Sequence, residues 1–208
     1  MASPLSVTLA VTGASGVALA RSLLALLEGD DRVAHIDLVA SPHGLRVARE
    51  ELDLPDGPLD QLAPRLLGAP APKTQVHDDR NIGANIASGS YPSLGMIVAP
   101  CSMGTCAAIA HGLADSLIER AADVCLKERR RLLLVVREAP FHRIHLRNLL
   151  AADEAGATVF PLTPAFYDRA SSPDAILRQF ASRLLEHLGL PQPNVFQWQG
   201  QIPRPGPA

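Results

Sequence analysis

The feature that most constrains the fold of this chain is an apolar segment, residues 94–99, that leads directly into small polar residues and then into a helical pattern. A short apolar run of this kind is typical of a parallel strand that is buried on both faces. Pro100 is expected to end the strand, because proline has no amide hydrogen for a sheet ladder. In an open α/β sheet the ligand binds where such strands end. The sequence therefore predicts a ligand site just beyond this strand.

A small polar sequence connects this strand to a helix that is expected to begin at Cys106, and it contains Ser102, Gly104 and Thr105. The free amides of a first helical turn, the positive end of the helix dipole and nearby hydroxyls can all point at one anion, typically a phosphate. The alternative is an ordinary helix cap, in which Ser102 or Thr105 only accepts a hydrogen bond from an otherwise unpaired amide. The local sequence leaves both interpretations open.

A second strand–turn–helix unit lies near the start of the chain, where a strand is expected at residues 5–11 and a helix at 17–27. The turn between them, Thr-Gly-Ala-Ser-Gly at 12–16, again presents a helix start that favours phosphate. It lacks the full Gly-x-Gly-x-x-Gly pattern, and the next strand, residues 34–40, ends in Ser41, where an NAD site would carry an acidic residue for the ribose. These departures argue against NAD and favour a mononucleotide such as FMN.

Two charged residues, Arg137 and Glu138, follow the clearest buried strand, residues 132–136. Charges at the carboxyl end of a central parallel strand lie at the ligand crevice. A buried Arg-Glu pair with a purely structural role is the alternative. Such groups beyond an apolar strand are costly unless they are paired or in use, so we favour a functional role for both.

Neither a metal site nor a disulfide framework is predicted. His142 and His145 lie three residues apart, but no third ligand follows at metal-site spacing. The three cysteines, at 101, 106 and 125, are an odd number and form no Cys-x-x-Cys pair. A reducing cytoplasm fits this cysteine usage best.

The charge and hydropathy of the chain argue against nucleic-acid and membrane partners. The formal net charge of −2 and the pI near 6.4 give no overall electrostatic reason to bind either polyanions or anionic lipid. The basic residues between 127 and 131 are interpreted as a solvated helix end, because no aromatic residues are interleaved with them. No signal peptide is visible, and no apolar run approaches the ~20 residues of a membrane span. We expect a soluble, cytoplasmic protein.

Strands and helices alternate along the chain, which predicts an α/β fold. We expect a single domain with a Rossmann-like (flavodoxin-like) parallel sheet and helices on both faces. This FMN-binding domain would cover residues 1–190, and a proline-rich tail that cannot form a core element would cover residues 191–208. The remaining strands are expected at residues 74–77 and 158–162, and the remaining helices at 43–52, 106–113, 116–128, 172–188 and after 141.

Several motifs make the chain resemble one enzyme family. They are Thr-Gly-Ala-Ser-Gly at 12–16, Ala-Ser-Gly-Ser-Tyr at 87–91, Pro-Cys-Ser-Met-Gly-Thr at 100–105, Ala-Ala-Asp-Val-Cys-Leu-Lys-Glu-Arg-Arg at 121–130, Val-Val-Arg-Glu-Ala-Pro at 135–140 and Pro-Ala-Phe-Tyr at 164–167. With these motifs the sequence resembles the UbiX-type flavin prenyltransferases, within the flavoprotein fold family that also contains peptidyl-cysteine decarboxylases. The resemblance spans residues 11 to about 190.

The resemblance implies an enzyme that joins a dimethylallyl group from dimethylallyl monophosphate to N5 and C6 of reduced FMN. The product, prenylated FMN, is the cofactor of UbiD-type decarboxylases. The family forms dodecamers with active sites at subunit interfaces, so the resemblance also implies a homo-oligomer in which several site residues come from neighbouring subunits.

Site residues are likewise implied by the resemblance. The flavin would be surrounded by Gly13, Ala14, Ser15, Ser41, Ser102, Met103, Gly104, Thr105 and Arg137. The phosphate of the prenyl donor would be surrounded by Ser88, Arg120, Lys127, Glu138, Tyr167 and Arg183, with Trp198 closing the site. Glu138, Lys127 and Ser15 are the expected catalytic residues.

Two alternative functions remain open at this stage. The first is a flavin-dependent cysteine decarboxylase, whose comparable motif is Pro-Ala-Ser-Ala-Asn-Thr; here Gly104 replaces the asparagine, and the Met-Asn-x-x-Met-Trp clamp of that family is missing. The second is a non-catalytic FMN-binding accessory subunit. The joint presence of Lys127, Glu138, Tyr167 and Arg183 argues against it.

Overall fold

The structure is a computed structural model that describes residues 5–166, 172–193, 195–196 and 200 of the 208-residue chain. Within these ranges the strands are β1 (Leu5–Val11), β2 (Val33–Ala40), β3 (Thr74–Asp78), β4 (Gly95–Cys101), β5 (Arg131–Val136) and β6 (Thr158–Pro161). The helices are α1 (Val17–Glu28), α2 (Pro42–Leu52), α3 (Leu62–Leu67), α4 (Met103–Ala110), α5 (Leu117–Lys127), α6 (Arg143–Glu154) and α7 (Pro173–Leu188). Short 3₁₀ turns lie at Leu59–Gln61 and Asn85–Ala87.

The described strands form one parallel sheet in the order β3-β2-β1-β4-β5-β6. The order reverses between β1 and β4, because the chain first adds strands on one side of β1 and then on the other. In a doubly wound sheet, ligands bind in the crevice at this reversal. The predicted single-domain, flavodoxin-like α/β fold is confirmed.

Apolar residues pack on both faces of the sheet, which explains why the central strands are almost entirely apolar. On one face, Leu9 and Leu38 pack with residues of α1, α2, α3 and α7. On the other face, Met96 and Leu134 pack with residues of α4, α5 and α6. Successive residues of a strand point to opposite faces, so both faces need apolar side chains. None of the described helices is long and apolar enough to cross a membrane.

The boundary at residue 190 between domain and tail stays a prediction. Leu190 is buried in the core on the α7 side of the sheet. The start of the tail contacts the body of the protein, because Arg32 donates to the carbonyl of Pro191 (2.9 Å) and Gln192 donates to the Asp30 carboxylate (3.0 Å). Most of the remaining tail lies outside the described residues.

Two expectations about the central strand are wrong. β4 continues through Pro100 to Cys101, and α4 begins at Met103 instead of Cys106. The strand continues because the Pro100 carbonyl still accepts hydrogen bonds from the amide (3.1 Å) and the hydroxyl (2.8 Å) of Thr12. The missing amide of Pro100 falls where the pairing of β4 with β5 is already irregular. On the β1 side, Pro100 pairs through its carbonyl.

A buried carboxylate, Asp37, connects the first three strands to the segment before β4. Its side chain is fully buried. One oxygen accepts hydrogen bonds from Ser6 Oγ (3.0 Å) and Tyr91 OH (3.0 Å), and the other lies 2.7 Å from His77 Nε2 and 3.3 Å from His35 Nε2. Burial alone would raise the pKa of this carboxyl, but the hydrogen bond from His77, the charge of His35 and the hydrogen bond from Tyr91 outweigh it and lower the pKa.

We predict that Asp37→Asn lowers the free energy of unfolding by about 1–3 kcal/mol at pH 7, because it removes a buried, hydrogen-bonded charge. The folded pKa of Asp37 lies below its unfolded value of about 3.9, so its stabilisation is present above that value and is lost as the pH falls through the folded pKa. Urea unfolding between pH 7 and pH 3 should therefore show a shallower acid limb for the variant.

The matched control is Asp56→Asn, at an exposed ion pair with Arg49 (2.9 Å). It should cost less than about 0.5 kcal/mol at pH 7. Equal losses for the two variants would contradict the role assigned to Asp37.

Candidate active site

A cavity of about 320 Å³ lies at the carboxyl ends of β1, β4 and β5, beside the reversal of strand order. Its volume is at the small end of the range for small-molecule sites. Its wall contains Glu138 and most of the predicted flavin-binding residues: Gly13, Ala14, Ser15, Ser102, Met103 and Arg137. It also contains residues that the sequence analysis did not single out: Val47, Glu50 and Glu51. The strand ends named from the sequence therefore share one concave surface.

The start of α4 is both a capped helix end and a candidate anion site. Ser102 is the N-cap; its hydroxyl accepts a hydrogen bond from the Thr105 amide (3.3 Å) and lies 3.0 Å from the Thr105 hydroxyl. The Ser102 amide donates to Thr12 Oγ1 (2.7 Å). Among the described residues, no acceptor pairs with the amides of Met103 and Gly104. These two amides, at the positive end of the helix dipole, suit an anionic ligand.

The start of α1 differs from expectation, because a carboxylate of the protein itself occupies it. Glu51, in the last turn of α2, accepts hydrogen bonds from the amides of Gly16 (2.9 and 3.1 Å) and Val17 (2.9 Å). Burial would raise the pKa of this carboxyl, but the hydrogen bond from Ser15, those two amides and the charge of Arg137 lower it. These amides are therefore not available to a phosphate, which leaves the start of α4 as the candidate phosphate site.

Close packing fits α2 against the turn after β1. A Cβ at Gly13 would lie 2.5 Å from the Cβ of His43, and a Cβ at Gly44 would lie 2.5 Å from the carbonyl oxygen of Val11. Ser41 caps α2, with its hydroxyl accepting from the Gly44 amide (3.0 Å). Ser41 lies beside the end of β1 but is not part of the cavity wall.

Arg137 and Glu138 line the cavity and both are exposed, which does not fit the alternative of a buried structural pair. The reason is that β5 ends at Val136, where the chain leaves the sheet. No ion pair between the two is present within the described part of the chain. Glu138 accepts a hydrogen bond from the Ala139 amide (2.9 Å). Both charges are therefore available to a ligand.

The predicted donor-site residues Ser88 and Lys127 lie at the opposite end of the sheet. Lys127 ends α5, just before β5 begins at Arg131, whereas Glu138 follows the end of β5. The six residues of β5 span roughly 20 Å at about 3.3 Å per residue. Gly89, the residue after Ser88, lies beside Lys127, because a Cβ at Gly89 would lie 2.5 Å from the Lys127 ammonium nitrogen. One chain alone does not bring Ser88 and Lys127 to Glu138.

The other predicted donor residues are dispersed or lie outside the described residues. Arg120, in the first turn of α5, pairs with Asp123 (2.7 Å), and Arg183, on α7 across the sheet, lies 3.6 Å from Glu186. Tyr167 and Trp198 are outside the described ranges.

Glu51 is one of the cavity residues that sequence reasoning missed. The residues Glu50 and Glu51 stand in the last turn of α2, where the helix dipole favours cations. Two carboxylates at that position are unfavourable unless another group pairs with them, and this pattern could have drawn attention to Glu51.

The two histidines considered as metal ligands lie at the start of α6, where His142 is the N-cap. Nδ1 of His142 accepts hydrogen bonds from the amides of Ile144 (3.2 Å) and His145 (3.3 Å), and the two imidazole rings stack with centroids 3.4 Å apart. Within the described ranges, no group of three or more His, Cys, Asp or Glu side chains is arranged to hold a metal ion.

Comparison with known proteins places this geometry in a family. The sequence profile of the Flavoprotein family matches residues 1–177. The flavin prenyltransferase UbiX of Deinococcus radiodurans is 43% identical, over 94% of this chain and 94% of its own length.

Two solved structures are similar along nearly their whole length. AnUbiX (PadA1) in complex with FMN and dimethylallyl pyrophosphate superposes with a TM-score of 0.83 at 38% identity, covering 95% of this chain and 98% of that one. A dodecameric FMN-dependent UbiX-like decarboxylase from Escherichia coli O157:H7 gives a TM-score of 0.82 at 38% identity, covering 94% and 100%. This chain therefore belongs to the Flavoprotein family and, within it, to the UbiX-type flavin prenyltransferases.

Proposed function

We infer that this chain is a flavin prenyltransferase, which joins a dimethylallyl group from dimethylallyl monophosphate to N5 and C6 of reduced FMN. The observation that carries the inference is the cavity at the strand reversal, whose wall holds Ser15, Ser102, Arg137 and Glu138 in a UbiX-type chain. The D. radiodurans relative is named a flavin prenyltransferase. The AnUbiX neighbour was solved with FMN and dimethylallyl pyrophosphate.

The residues of the cavity fit FMN chemically. The unpaired amides of Met103 and Gly104 and the hydroxyls of Ser102 and Thr105 suit a phosphate, and Arg137 adds a positive charge. We propose that Gly13, Ala14, Ser15 and Ser41 complete the flavin site. Reduced FMN supplies the electron-rich N5 and C6 atoms of the reaction.

We propose that the donor site forms between subunits. Ser88, beside Gly89, and Lys127 lie at one end of the sheet and Glu138 lies at the other, so a neighbouring copy would bring them to one ligand. We assign Arg120, Tyr167, Arg183 and Trp198 to the same site, as the family resemblance implies.

The surface beside Glu138 supports an assembly of this kind. Helix α6 and the residues just before it expose four large apolar side chains: Phe141 (38%), Ile144 (61%), Leu146 (54%) and Leu150 (58%). Several large apolar side chains exposed on one segment are typical of a subunit contact. We propose a homo-oligomer, specifically a dodecamer like the E. coli neighbour.

The charged residues have separate chemical tasks. Dimethylallyl monophosphate loses its phosphate more readily when cations neutralise the developing charge and an acid protonates it. We propose that Lys127, Arg120 and Arg183 hold the charge, and that Glu138 carries the proton. We propose that Ser15, which lies with Glu51 in the cavity wall, passes a proton between that carboxylate and the flavin.

Two further parts of the proposal concern the setting of the enzyme. We propose that its product is delivered to a UbiD-type decarboxylase, and that it works in the cytoplasm without a metal ion. The cytoplasmic assignment is supported by the cysteines, since Cys101, Cys106 and Cys125 are all unpaired and buried.

Incubation of the protein with reduced FMN and dimethylallyl monophosphate tests the function. Mass spectrometry should find a flavin that is heavier by one dimethylallyl group. Unchanged FMN together with decarboxylation of a peptidyl-cysteine would favour the cysteine decarboxylase, which Gly104 argues against. Unchanged FMN with neither reaction would favour the accessory subunit.

Variants of Glu138 and Lys127 should have different kinetic effects. Glu138→Gln keeps the size of the side chain but removes its proton, so FMN and the donor should still bind while prenylation slows by ~10²–10⁴-fold. Lys127→Ala should also weaken donor binding, because it removes a charge that contacts the phosphate before and during reaction. Rapid-mixing kinetics with calorimetric binding would separate these effects.

Glu154→Gln, an exposed carboxylate at the end of α6, is the matched control and should leave the rate within about twofold. Prenylation by Glu138→Gln at the parental rate across the pH range would refute its role as the acid.

A further inference from the structure

Residues 88–91, here called the donor loop, are held from two sides. From the sheet side, Tyr91 donates its hydroxyl hydrogen to Oδ2 of the buried Asp37 (3.0 Å). From the α5 side, the Arg130 guanidinium donates to the carbonyls of Tyr91 (2.8 Å) and Gly89 (2.6 Å). The two attachments come from different elements. One holds the Tyr91 side chain, and the other holds two backbone carbonyls of the loop.

The position of the donor loop sets the position of Ser88 relative to Lys127. The Ser88 hydroxyl lies 2.9 Å from the Ser90 hydroxyl and accepts a hydrogen bond from the Ser90 amide (3.3 Å). Lys127 pairs with the Glu128 carboxylate, and Gly89 lies so close to this ion pair that a side chain there would collide with both groups. A shift of the loop would therefore change the spacing between the Ser88 hydroxyl and the Lys127 ammonium.

The connection to Asp37 is more than the sheet itself requires. β1, β2 and β3 are already joined by parallel pairing along most of their length. The Asp37 carboxylate already has Ser6, His77 and His35 as partners. An ionised carboxylate is costly to bury unless it is paired and hydrogen-bonded. The Tyr91 hydroxyl extends this charge network to a loop outside the sheet.

We propose that Asp37, Tyr91 and Arg130 form a clamp of positioning residues, which holds the donor loop so that Ser88 and Lys127 together bind the phosphate of the prenyl donor. The proposal rests on the proposed function, which assigns Ser88 and Lys127 to that phosphate. Misplacing a ligand-binding group by about 1 Å can cost on the order of 10²-fold. The clamp acts through the donor loop, because Asp37 itself is fully buried.

Tyr91→Phe tests the clamp, because it keeps the aromatic ring and removes only the hydroxyl. We expect the KM for dimethylallyl monophosphate to rise about 5- to 50-fold, as is typical when a residue that orients a ligand-binding group is lost. The kcat and the FMN affinity should stay within about twofold. Hydrogen exchange followed by mass spectrometry should show faster exchange of the donor-loop amides.

Two further variants separate positioning from general stability. Arg130→Lys keeps the charge but cannot reproduce both carbonyl contacts, so it should raise the same KM without involving Asp37. Thr74→Val is the matched control: it removes the 2.6 Å hydrogen bond from Thr74 to Glu28, at the start of β3 and away from the donor loop. Thr74→Val should lower thermal stability about as much as Tyr91→Phe does, but it should leave the KM within about twofold.

The outcomes distinguish the clamp from the proposed function. If the parental protein prenylates FMN while Tyr91→Phe and Arg130→Lys leave the KM and the donor-loop exchange unchanged, the clamp is wrong. An equal rise in KM for Thr74→Val would also overturn it, because the effect would then follow stability. If the parental protein forms no prenylated FMN, the proposed function fails whatever the exchange experiment shows.

Discussion

The side chain of Thr12 makes the contact on which the rest of the site depends. Its hydroxyl donates to the Pro100 carbonyl (2.8 Å) and accepts from the Ser102 amide (2.7 Å). It thereby joins the turn after β1 to the turn after β4, at the reversal of strand order. Because Thr12 is almost completely buried, water does not compete for these hydrogen bonds. The starts of α1 and α4, and with them two walls of the cavity, are held in a fixed relation.

Much of the fold and part of the site could be predicted from the sequence, because burial on both faces of a parallel sheet leaves a continuous apolar signal along each strand. The residues at strand ends, such as Ser102 and Glu138, could therefore be assigned to one edge. The remainder depends on tertiary packing. Glu51 reaches the start of α1 only because α2 lies against the turn at Gly13, and the exposure of Arg137 depends on where β5 ends.

The separation of Lys127 from Glu138 has a consequence for how the enzyme is built. It is set by the length of β5, which side-chain rotation cannot change. A ligand that contacts both residues must therefore contact two copies of the chain, so the proposed donor site makes assembly a condition of catalysis. In this account the sheet fixes the position of each half of the site. The clamped donor loop positions Ser88 in one half, and the subunit contact brings the two halves together.

The most direct test of this account combines two defective subunits in one assembly. Co-expression of Glu138→Gln and Lys127→Ala chains in equal amounts should yield oligomers in which about a quarter of the shared sites contain both native residues. The account predicts that prenylation of FMN, followed by mass spectrometry, recovers to about a quarter of the parental rate. Activity no higher than that of the separate variants would contradict it, because the two residues would then act within one chain.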